Sequence, residues 1–300
     1  METQQFNQFT WVAVKTTAPQ DIKTIQETYH LDAEVLDYAT DPNERAHVEY
    51  DDETKTFLLV FHVANTKKVD QHYEAVPMTF MIKNNTLITI NFPESDYVIA
   101  MMQQAKALPD SASVYQFLFT SLFHVSDAFF PLVEQVDQER KEITERLKIK
   151  TTKGNLLSLS DLETGLIYLM TAAKQNAVVL EQLKALQIYK QLSETDQEVL
   201  DDALIEANQL SEMTQLTGQI LDQLSGTYNN VLNNGLNDTM KFLTVWSLLL
   251  TIPTIVSGFF GMNVQLPFQH GAWSWVITLV IAAILWMGLG FLLRHFMNKS

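Results

Sequence analysis

The sequence predicts an α+β fold class, in which an N-terminal α/β subdomain is followed by long helices, and the last long helix continues into the first of two C-terminal transmembrane helices. Three observations lead to this prediction. Runs typical of β-strands occur only in about the first hundred residues. Helical patterns dominate from Ser111 onward, and residues 242–293 contain no Asp, Glu, Lys or Arg. We therefore expect domains at residues 1–110, 111–241 and 242–300.

Short apolar runs predict the strands of the N-terminal subdomain, at residues 11–14, 57–63, 78–82 and 87–90. The sequence Lys-Asn-Asn-Thr at 83–86 separates the last two runs and predicts a hairpin turn. Short helices are expected near 19–29 and 96–108, so this subdomain mixes helices with strands.

Long helices are predicted at about 111–149 and 158–192, with a turn at 151–155 between them. Residues 193–196, Ser-Glu-Thr-Asp, are typical of a helix start, and no proline follows until Pro253. A third helix over 196–260 would be roughly 98 Å long at ~1.5 Å per residue. Its glycines, at 218, 226 and 235, each weaken it by ~1 kcal/mol relative to alanine, so breaks there remain possible.

Two apolar runs, 242–260 and 272–293, are each long enough to cross ~30 Å of hydrocarbon as a helix. They predict a transmembrane pair that contacts the lipid bilayer, with an external loop at 261–271. Only two spans per chain cannot easily enclose a solute path. Transport therefore requires several copies around an axis.

Basic residues flank the pair, with Lys241 before the first span and Arg294 and Lys299 after the second. The excess of Lys and Arg on cytoplasmic segments predicts cytoplasmic N- and C-termini. Residues 1–6 show neither the positive nor the apolar part of a signal peptide, so we do not expect the N-terminal domain to be exported. The expected location is the plasma membrane, as a multi-pass protein.

The charge distribution is strongly acidic outside the membrane pair. All 35 acidic and 18 of the 20 basic residues precede residue 242, which gives that part a formal charge of −17. This charge argues against nucleic acid as a partner and favours cations. The chain has no cysteine, which excludes disulfides, zinc fingers and thiol catalysis. Its seven histidines form no HExxH pattern, so we expect neither an enzyme nor an organic cofactor.

A polar stripe with a repeat of 3.5 residues runs through the first span. Alternating steps of three and four residues select Asn237, Met240, Thr244, Ser247, Thr251, Thr254 and Gly258, and Asn230 and Asn233 continue the stripe backward. This repeat keeps one narrow face toward a common axis when neighbouring helices supercoil. One interpretation is a water-lined pore whose hydroxyls and amides contact a hydrated cation such as Mg²⁺, which dehydrates reluctantly. The other is close packing of membrane helices on small residues, and the spacing alone does not separate the two.

Specific residues around this span resemble the CorA-type magnesium transporters. They are Met-Lys-Phe-Leu-Thr at 240–244, Pro253, Gly258, the tripeptide Gly261-Met262-Asn263 at the end of the first of two C-terminal spans, and a basic C-terminus. The resemblance is clear over about residues 230–300, and the order of domains agrees with it over the whole chain.

The resemblance implies a funnel-shaped homopentamer in which the first span of each subunit lines one pore. Gly261, Met262 and Asn263 would then form the selectivity filter, with Asn263 contacting Mg²⁺ through its hydration water. The stripe from Asn237 to Gly258 would line the path, with an apolar constriction at Met240. Uptake of Mg²⁺, with Co²⁺ and Ni²⁺ as further permeant ions, would be passive.

The resemblance also implies that Mg²⁺ is regulatory as well as transported. Intracellular Mg²⁺ bound between the acidic domains would hold the pentamer closed. Asp202 lies five heptads before Asn237 and matches an interfacial metal ligand of the family by ungapped counting. The sequence departs from the family at two places. The external loop, which often carries acidic residues in the family, is uncharged here, and Gly226 stands where some relatives carry an acidic ring below the pore.

The sequence is compatible with two alternative functions. One is a zinc or other transition-metal transporter on the same scaffold, which the intact Gly-Met-Asn tripeptide disfavours. The other is a non-conducting, membrane-anchored sensor or scaffold whose spans merely oligomerise. Ion flux in liposomes separates the second from any transporter.

Overall fold

A computed structural model describes residues 1–104, 109, 111–262 and 273–297. Within them the chain forms two compact units, Met1–Gly226 and Thr227–Ser300. The three domains expected from the sequence remain a prediction. The first unit begins with β1 (Glu2–Gln5), β2 (Thr10–Lys15), α1 (Pro19–Tyr29), α2 (Ala33–Thr40), β3 (His47–Asp51), β4 (Thr56–Ala64), β5 (Ala75–Lys83), β6 (Thr86–Asn91), a 3-10 turn (Pro93–Ser95) and α3 (Asp96–Gln104).

The six strands form one mixed sheet in the order β1-β2-β6-β5-β4-β3. Strands β2 and β6 are parallel, and every other neighbouring pair is antiparallel. All four strands expected from the apolar runs are present as β2, β4, β5 and β6. The expected hairpin turn is confirmed, because Asn84 and Asn85 both adopt positive φ angles, of 49° and 59°, between β5 and β6.

Both faces of the sheet are covered. On one face, Val12 and Ile88 pack into a cluster with Ile25 of α1 and Leu36 of α2. On the other face, the indole ring of Trp11 lies edge-on to the ring of Phe117, with ring centroids 5.5 Å apart. Burial on both faces explains why the central strands are continuous apolar runs rather than alternating ones.

The remaining helices are α4 (Val114–Asp127), α5 (Phe130–Ile149), α6 (Lys153–Ala185), a 3-10 turn (Gln187–Gln191), α7 (Glu194–Phe260) and α8 (Ser274–Met297). The helix expected over 111–149 is therefore two helices. Pro131 stands in the first turn of α5, where its missing N–H costs no hydrogen bond. The bounds predicted for the next helix, 158–192, are also wrong at both ends. Helix α6 starts at Lys153 and ends at Ala185, and a 3-10 turn follows it.

The start of α7 is fixed by a buried carboxylate. The Asp196 carboxylate accepts hydrogen bonds from the Ser193 backbone N–H, at 3.3 Å, and the Ser193 hydroxyl, at 2.7 Å. In return, the Ser193 hydroxyl oxygen accepts from the Asp196 N–H at 3.1 Å, which completes a capping box. Asp196 also accepts a 2.5 Å hydrogen bond from the hydroxyl of Ser113, the N-cap of α4. One side chain thus ties together the starts of two helices.

Helix α7 is a single helix of 67 residues, and none of its glycines interrupts it. The prediction of one continuous helix that runs into the first apolar span is confirmed. Between Asp196 and Leu221 its buried positions alternate by steps of three and four residues: 196, 200, 203, 207, 210, 214, 217 and 221. This face packs into the first unit, and the opposite face of the same segment is exposed.

One partly buried histidine predicts a pH dependence of stability. The His62 ring in β4 lies with Nε2 3.0 Å from the Glu44 backbone carbonyl oxygen, and burial lowers the pKa of this ring. Below the unfolded-state pKa of about 6.5, the His62 ring binds a proton more readily in the unfolded chain than in the folded one. The free energy of unfolding therefore falls as pH drops from about 6.5 toward the folded-state pKa, by at most ~1.4 kcal/mol per pH unit.

Thermal unfolding of the detergent-solubilised protein between pH 7.5 and pH 5.5 tests this prediction. His62→Gln, which cannot titrate in this range, is expected to show a smaller loss of thermal stability over the same interval. An equal loss in both proteins would contradict the assignment to His62.

Candidate pore and metal-binding residues

Two helices of the described chain, α7 and α8, are long and apolar enough to cross a membrane. The first expected span, 242–260, forms the last part of α7. The Gly261 N–H donates to the Ser257 carbonyl at 2.9 Å, and the Met262 N–H donates to the Phe259 carbonyl at 3.4 Å. The helix therefore ends in a tight turn that carries two of the three expected filter residues. The third, Asn263, lies outside the described residues, as do residues 264–272 of the external loop.

The polar stripe is exposed along its whole length. Its seven positions from Asn237 to Gly258 are all exposed, and the Met240 side chain is 66% exposed. The less exposed positions of the same segment are Val245, Leu249, Ile252, Val256 and Phe260. At about 100° per residue, these five lie on the side of the helix opposite the stripe. The single chain thus covers one face of the span and leaves the polar face open.

Three threonine hydroxyls on the stripe donate hydrogen bonds to backbone carbonyls of the preceding helical turn. Thr244 donates to the Met240 carbonyl at 2.8 Å, Thr251 to the Ser247 carbonyl at 2.8 Å, and Thr254 to the Leu250 carbonyl at 2.9 Å. Such internal bonds satisfy the donor and leave the lone pairs of each hydroxyl oxygen as acceptors. The water molecules around a hydrated cation point their hydrogen atoms outward, so they can donate hydrogen bonds to a surface of acceptor oxygens.

The regulatory candidate, Asp202, is exposed on α7. Its neighbour Asp201 accepts a 2.8 Å hydrogen bond from the Lys184 ammonium group of α6. Among the residues that the structure describes, no group of three or more His, Cys, Asp or Glu side chains could hold a metal ion. Within the described residues, a single chain therefore offers Asp202 no complete metal-ligand set of these residue types.

A carboxyl group that the sequence did not single out is Glu163 of α6. It lines a groove of about 490 Å³ together with Leu166, Gly218 and Asp222. Burial is the main cause that raises the pKa of Glu163, and the nearby Asp222 charge adds to it. In the sequence Glu163 looks like any surface glutamate, because only the packing of α6 beside α7 creates its environment.

The chain is similar to known transport proteins along nearly its whole length. It is 24% identical to the magnesium transport protein CorA of Wolinella succinogenes, covering 91% of this chain and 86% of that protein. It is 20% identical to the cobalt/magnesium transport protein CorA of Methanocaldococcus jannaschii, covering 95% and 90%.

A solved structure shares this fold. The complete structure of the CorA magnesium transporter from Methanocaldococcus jannaschii superposes with a TM-score of 0.79 at 18% identity, covering 98% of this chain and 93% of that chain. The family model described as "CorA-like Mg2+ transporter protein" matches residues 6–295. The chain therefore belongs to the CorA-like Mg²⁺ transporter protein family.

Proposed function

We propose that this protein is a divalent metal cation channel that mediates passive Mg²⁺ uptake across the plasma membrane, with Co²⁺ and Ni²⁺ as further permeant ions. Two of its relatives are named as magnesium and cobalt/magnesium transport proteins. The observation that carries the proposal is the exposed, uncharged polar stripe of α7, which lies opposite the covered face of the same helix. These relatives are transporters rather than enzymes, which agrees with the expected absence of catalysis.

The proposed assembly is a homopentamer with the stripe of each α7 facing a central axis. Two spans per chain cannot surround a path, whereas five stripes form a closed wall. In this arrangement, Thr244, Ser247, Thr251 and Thr254 supply rings of hydroxyl oxygens, and α8 faces lipid. The exposed apolar residues of α8, such as Leu279, Ile284 and Phe291, suit that environment.

Selectivity in this proposal comes from water-mediated contacts. Asn263 of each subunit contacts the hydrated ion at the outer mouth, and Gly261 and Met262 form the turn that presents it. No carboxylate or imidazole lies on the stripe, so its neutral oxygens compete only weakly with the water that Mg²⁺ holds. Met240 forms an apolar constriction that stops conduction when it loses water.

Gating is proposed to depend on Mg²⁺ inside the cell. Five domains that each carry a formal charge of −17 repel one another, and bound divalent cations reduce this repulsion. Asp202 is exposed, and the described part of one chain holds no group of three candidate metal ligands, so a ligand set there requires carboxylates from a neighbouring subunit. Loss of Mg²⁺ would then loosen the assembly and open the pore.

Mg²⁺ influx into proteoliposomes that contain a fluorescent indicator tests the proposal. We expect influx with the native protein, at least about tenfold slower influx with Asn263→Ala, and a decline as internal Mg²⁺ rises. Inserted native protein that shows no Mg²⁺ flux at any internal concentration would overturn the proposal. Zn²⁺ flux without Mg²⁺ flux would support the transition-metal alternative, and no flux of any ion would support the scaffold.

A further inference from the structure

The tip of the hairpin between α5 and α6 carries positive charge in an otherwise acidic unit. Residues 146–160 contain four basic residues and no acidic one: Arg146, Lys148, Lys150 and Lys153. All four side chains are exposed. Residues 1–241 together have a formal charge of −17, so the charge of this segment is opposite in sign to that of the unit as a whole. We call residues 146–153 the basic tip.

The charges of the basic tip are mostly left unpaired by the chain. The Lys148 ammonium group lies 2.6 Å from a carboxylate oxygen of Glu145, in a pair whose side chains are 61% and 71% exposed. Such exposed pairs are weak and screened by water. Among the described residues, no carboxylate forms an ion pair with Lys150 or Lys153. Between these lysines, the side chain of Ile149 is 88% exposed. The tip therefore presents a large apolar side chain among positive charges.

Hydrogen bonds fix the turn that presents these side chains. The Thr152 hydroxyl oxygen, at the N-cap of α6, accepts from the Asn155 N–H at 3.3 Å. The Asn155 side-chain amide donates to the Lys150 carbonyl oxygen at 3.2 Å. These bonds connect the end of α5 to the first turn of α6, so the lysines and Ile149 project from one ordered turn.

The antiparallel packing of α6 and α7 sets the position of the basic tip in the first unit. The Lys184 ammonium group lies 2.8 Å from an Asp201 carboxylate oxygen, and a Cβ atom at Gly218 would lie 3.8 Å from the Leu166 side chain. From Leu166 back to Lys153, α6 continues for about 20 Å at ~1.5 Å per residue. The basic tip therefore lies at the end of the first unit from which α7 proceeds toward its apolar span.

An anionic lipid surface matches both properties of the basic tip. Lysine ammonium groups are attracted to a leaflet of negatively charged phospholipids, at about fivefold in binding per basic side chain near the surface. The boundary between headgroups and acyl chains accepts an exposed apolar side chain such as Ile149. An acidic protein surface would pair with the lysines but would not require the isoleucine between them. The combination favours lipid as the occupant.

We propose that the basic tip docks on the anionic phospholipids of the membrane leaflet that faces the soluble domain. Lys150 and Lys153 contact the lipid phosphates, and Ile149 enters the interface between headgroups and acyl chains. The contact goes beyond ion conduction. It requires only that α7 and α8 cross the membrane, and it makes the position of the α5–α6 hairpin depend on lipid charge.

Fluorescence quenching by lipid in proteoliposomes tests the inference on the full-length protein. Gly154→Cys supplies the only thiol in the chain, and a Cβ atom there would meet nothing within 4 Å. The thiol carries a fluorophore, and the bilayer contains a small fraction of lipid that is spin-labelled near the headgroup. The vesicles are either phosphatidylcholine alone or phosphatidylcholine with about 30 mol% phosphatidylglycerol.

The test variant adds Lys150→Gln with Lys153→Gln to the labelled protein. The matched control adds Lys174→Gln with Lys190→Gln, which removes the same charge from two exposed lysines of the same unit outside the basic tip. Because none of these four side chains is buried, both variants are expected to fold as the native protein does.

We expect the spin label to reduce emission at least about twofold in anionic vesicles and by less than about 1.2-fold in phosphatidylcholine alone. The basic-tip variant should lose the quenching in anionic vesicles, and the matched control should keep it. Equal quenching in both lipids, equal loss in both double variants, or no quenching in either lipid would overturn the docking.

Mg²⁺ influx is measured in parallel in vesicles of the same compositions. Influx without quenching would overturn the docking and leave the proposed channel intact. Quenching that depends on the basic tip, without influx, would support the docking and contradict the proposed function alone.

Discussion

Thr251→Cys channels are expected to lose at least about nine-tenths of their Mg²⁺ flux when treated with a water-soluble, positively charged methanethiosulfonate. The native chain has no cysteine, so each introduced thiol is the only target in the protein. Thr251 lies on the exposed polar stripe of α7, where the proposed pore supplies water. The thiolate of the introduced cysteine attacks the sulfenyl sulfur of the reagent, forms a disulfide and displaces methanesulfinate; this thiolate forms in water and not in hydrocarbon. Each modified subunit then places a fixed positive charge in the cation path.

Leu250→Cys is the matched control for this experiment. Leu250 is 60% exposed in the single chain but lies off the stripe, about 100° around the helix from Thr251. Its thiol is expected to stay protonated and unreactive, with flux unchanged. Mass spectrometry measures the modified fraction directly. Block through Leu250→Cys without block through Thr251→Cys would show that the stripe does not line the path.

The stripe could be predicted from sequence because a helix turns every 3.6 residues and few charges interrupt the pattern. The same reasoning predicted α7, since no proline breaks the chain between Asp196 and Pro253. The hydrogen bonds of Thr244, Thr251 and Thr254 to the preceding turn were not predicted, because rotamers decide them. Nor does a sequence reveal which face of a span its own chain covers.

Strands β1 and β3 and the break between α4 and α5 were not predicted from the sequence, and each of these misses has a physical reason. Strands β1 and β3 are the two edges of the sheet, and their sequences, Glu-Thr-Gln-Gln and His-Val-Glu-Tyr-Asp, are largely polar. Edge strands face water on one side, so they carry a weaker apolar signal than central strands. The break between α4 and α5 did have a signal, since Pro131 is tolerated only near the start of a helix.

Asn176 of α6 has the largest expected effect on stability. Strand β4 extends beyond its partner β3, whose pairing with β4 ends at Val60. Further along β4, the His62 N–H donates to the Asn176 side-chain oxygen at 2.8 Å, and the Asn176 amide donates to the His62 carbonyl at 2.8 Å. The side chain of Asn176 is fully buried, at 0% exposure. One amide thus replaces the missing strand neighbour at the point where α6 crosses the sheet.

Asn176→Leu preserves the approximate volume but leaves both His62 backbone groups without partners. Each buried, unpaired backbone group costs about 1–3 kcal/mol, so a loss of about 2–6 kcal/mol is expected. This corresponds to a fall in melting temperature of roughly 5–20 °C for a domain of this size. Gln175→Leu is the matched control, because its side chain accepts one longer bond, 3.3 Å from the Ala46 N–H, and is only partly buried.

Thermal unfolding and hydrogen exchange of the full-length protein distinguish whether Asn176 stabilises only β4 or the whole fold. The Asn176→Leu protein is expected to lose amide protection first around His62, because that N–H no longer has an acceptor. Asn176→Asp keeps an acceptor for the N–H but cannot donate to the carbonyl when ionised, and it buries a charge. It should therefore be no more stable than Asn176→Leu at neutral pH and should recover stability as pH falls and the carboxyl group protonates. Native-like protection in both variants would show that β4 is held at this edge by packing alone.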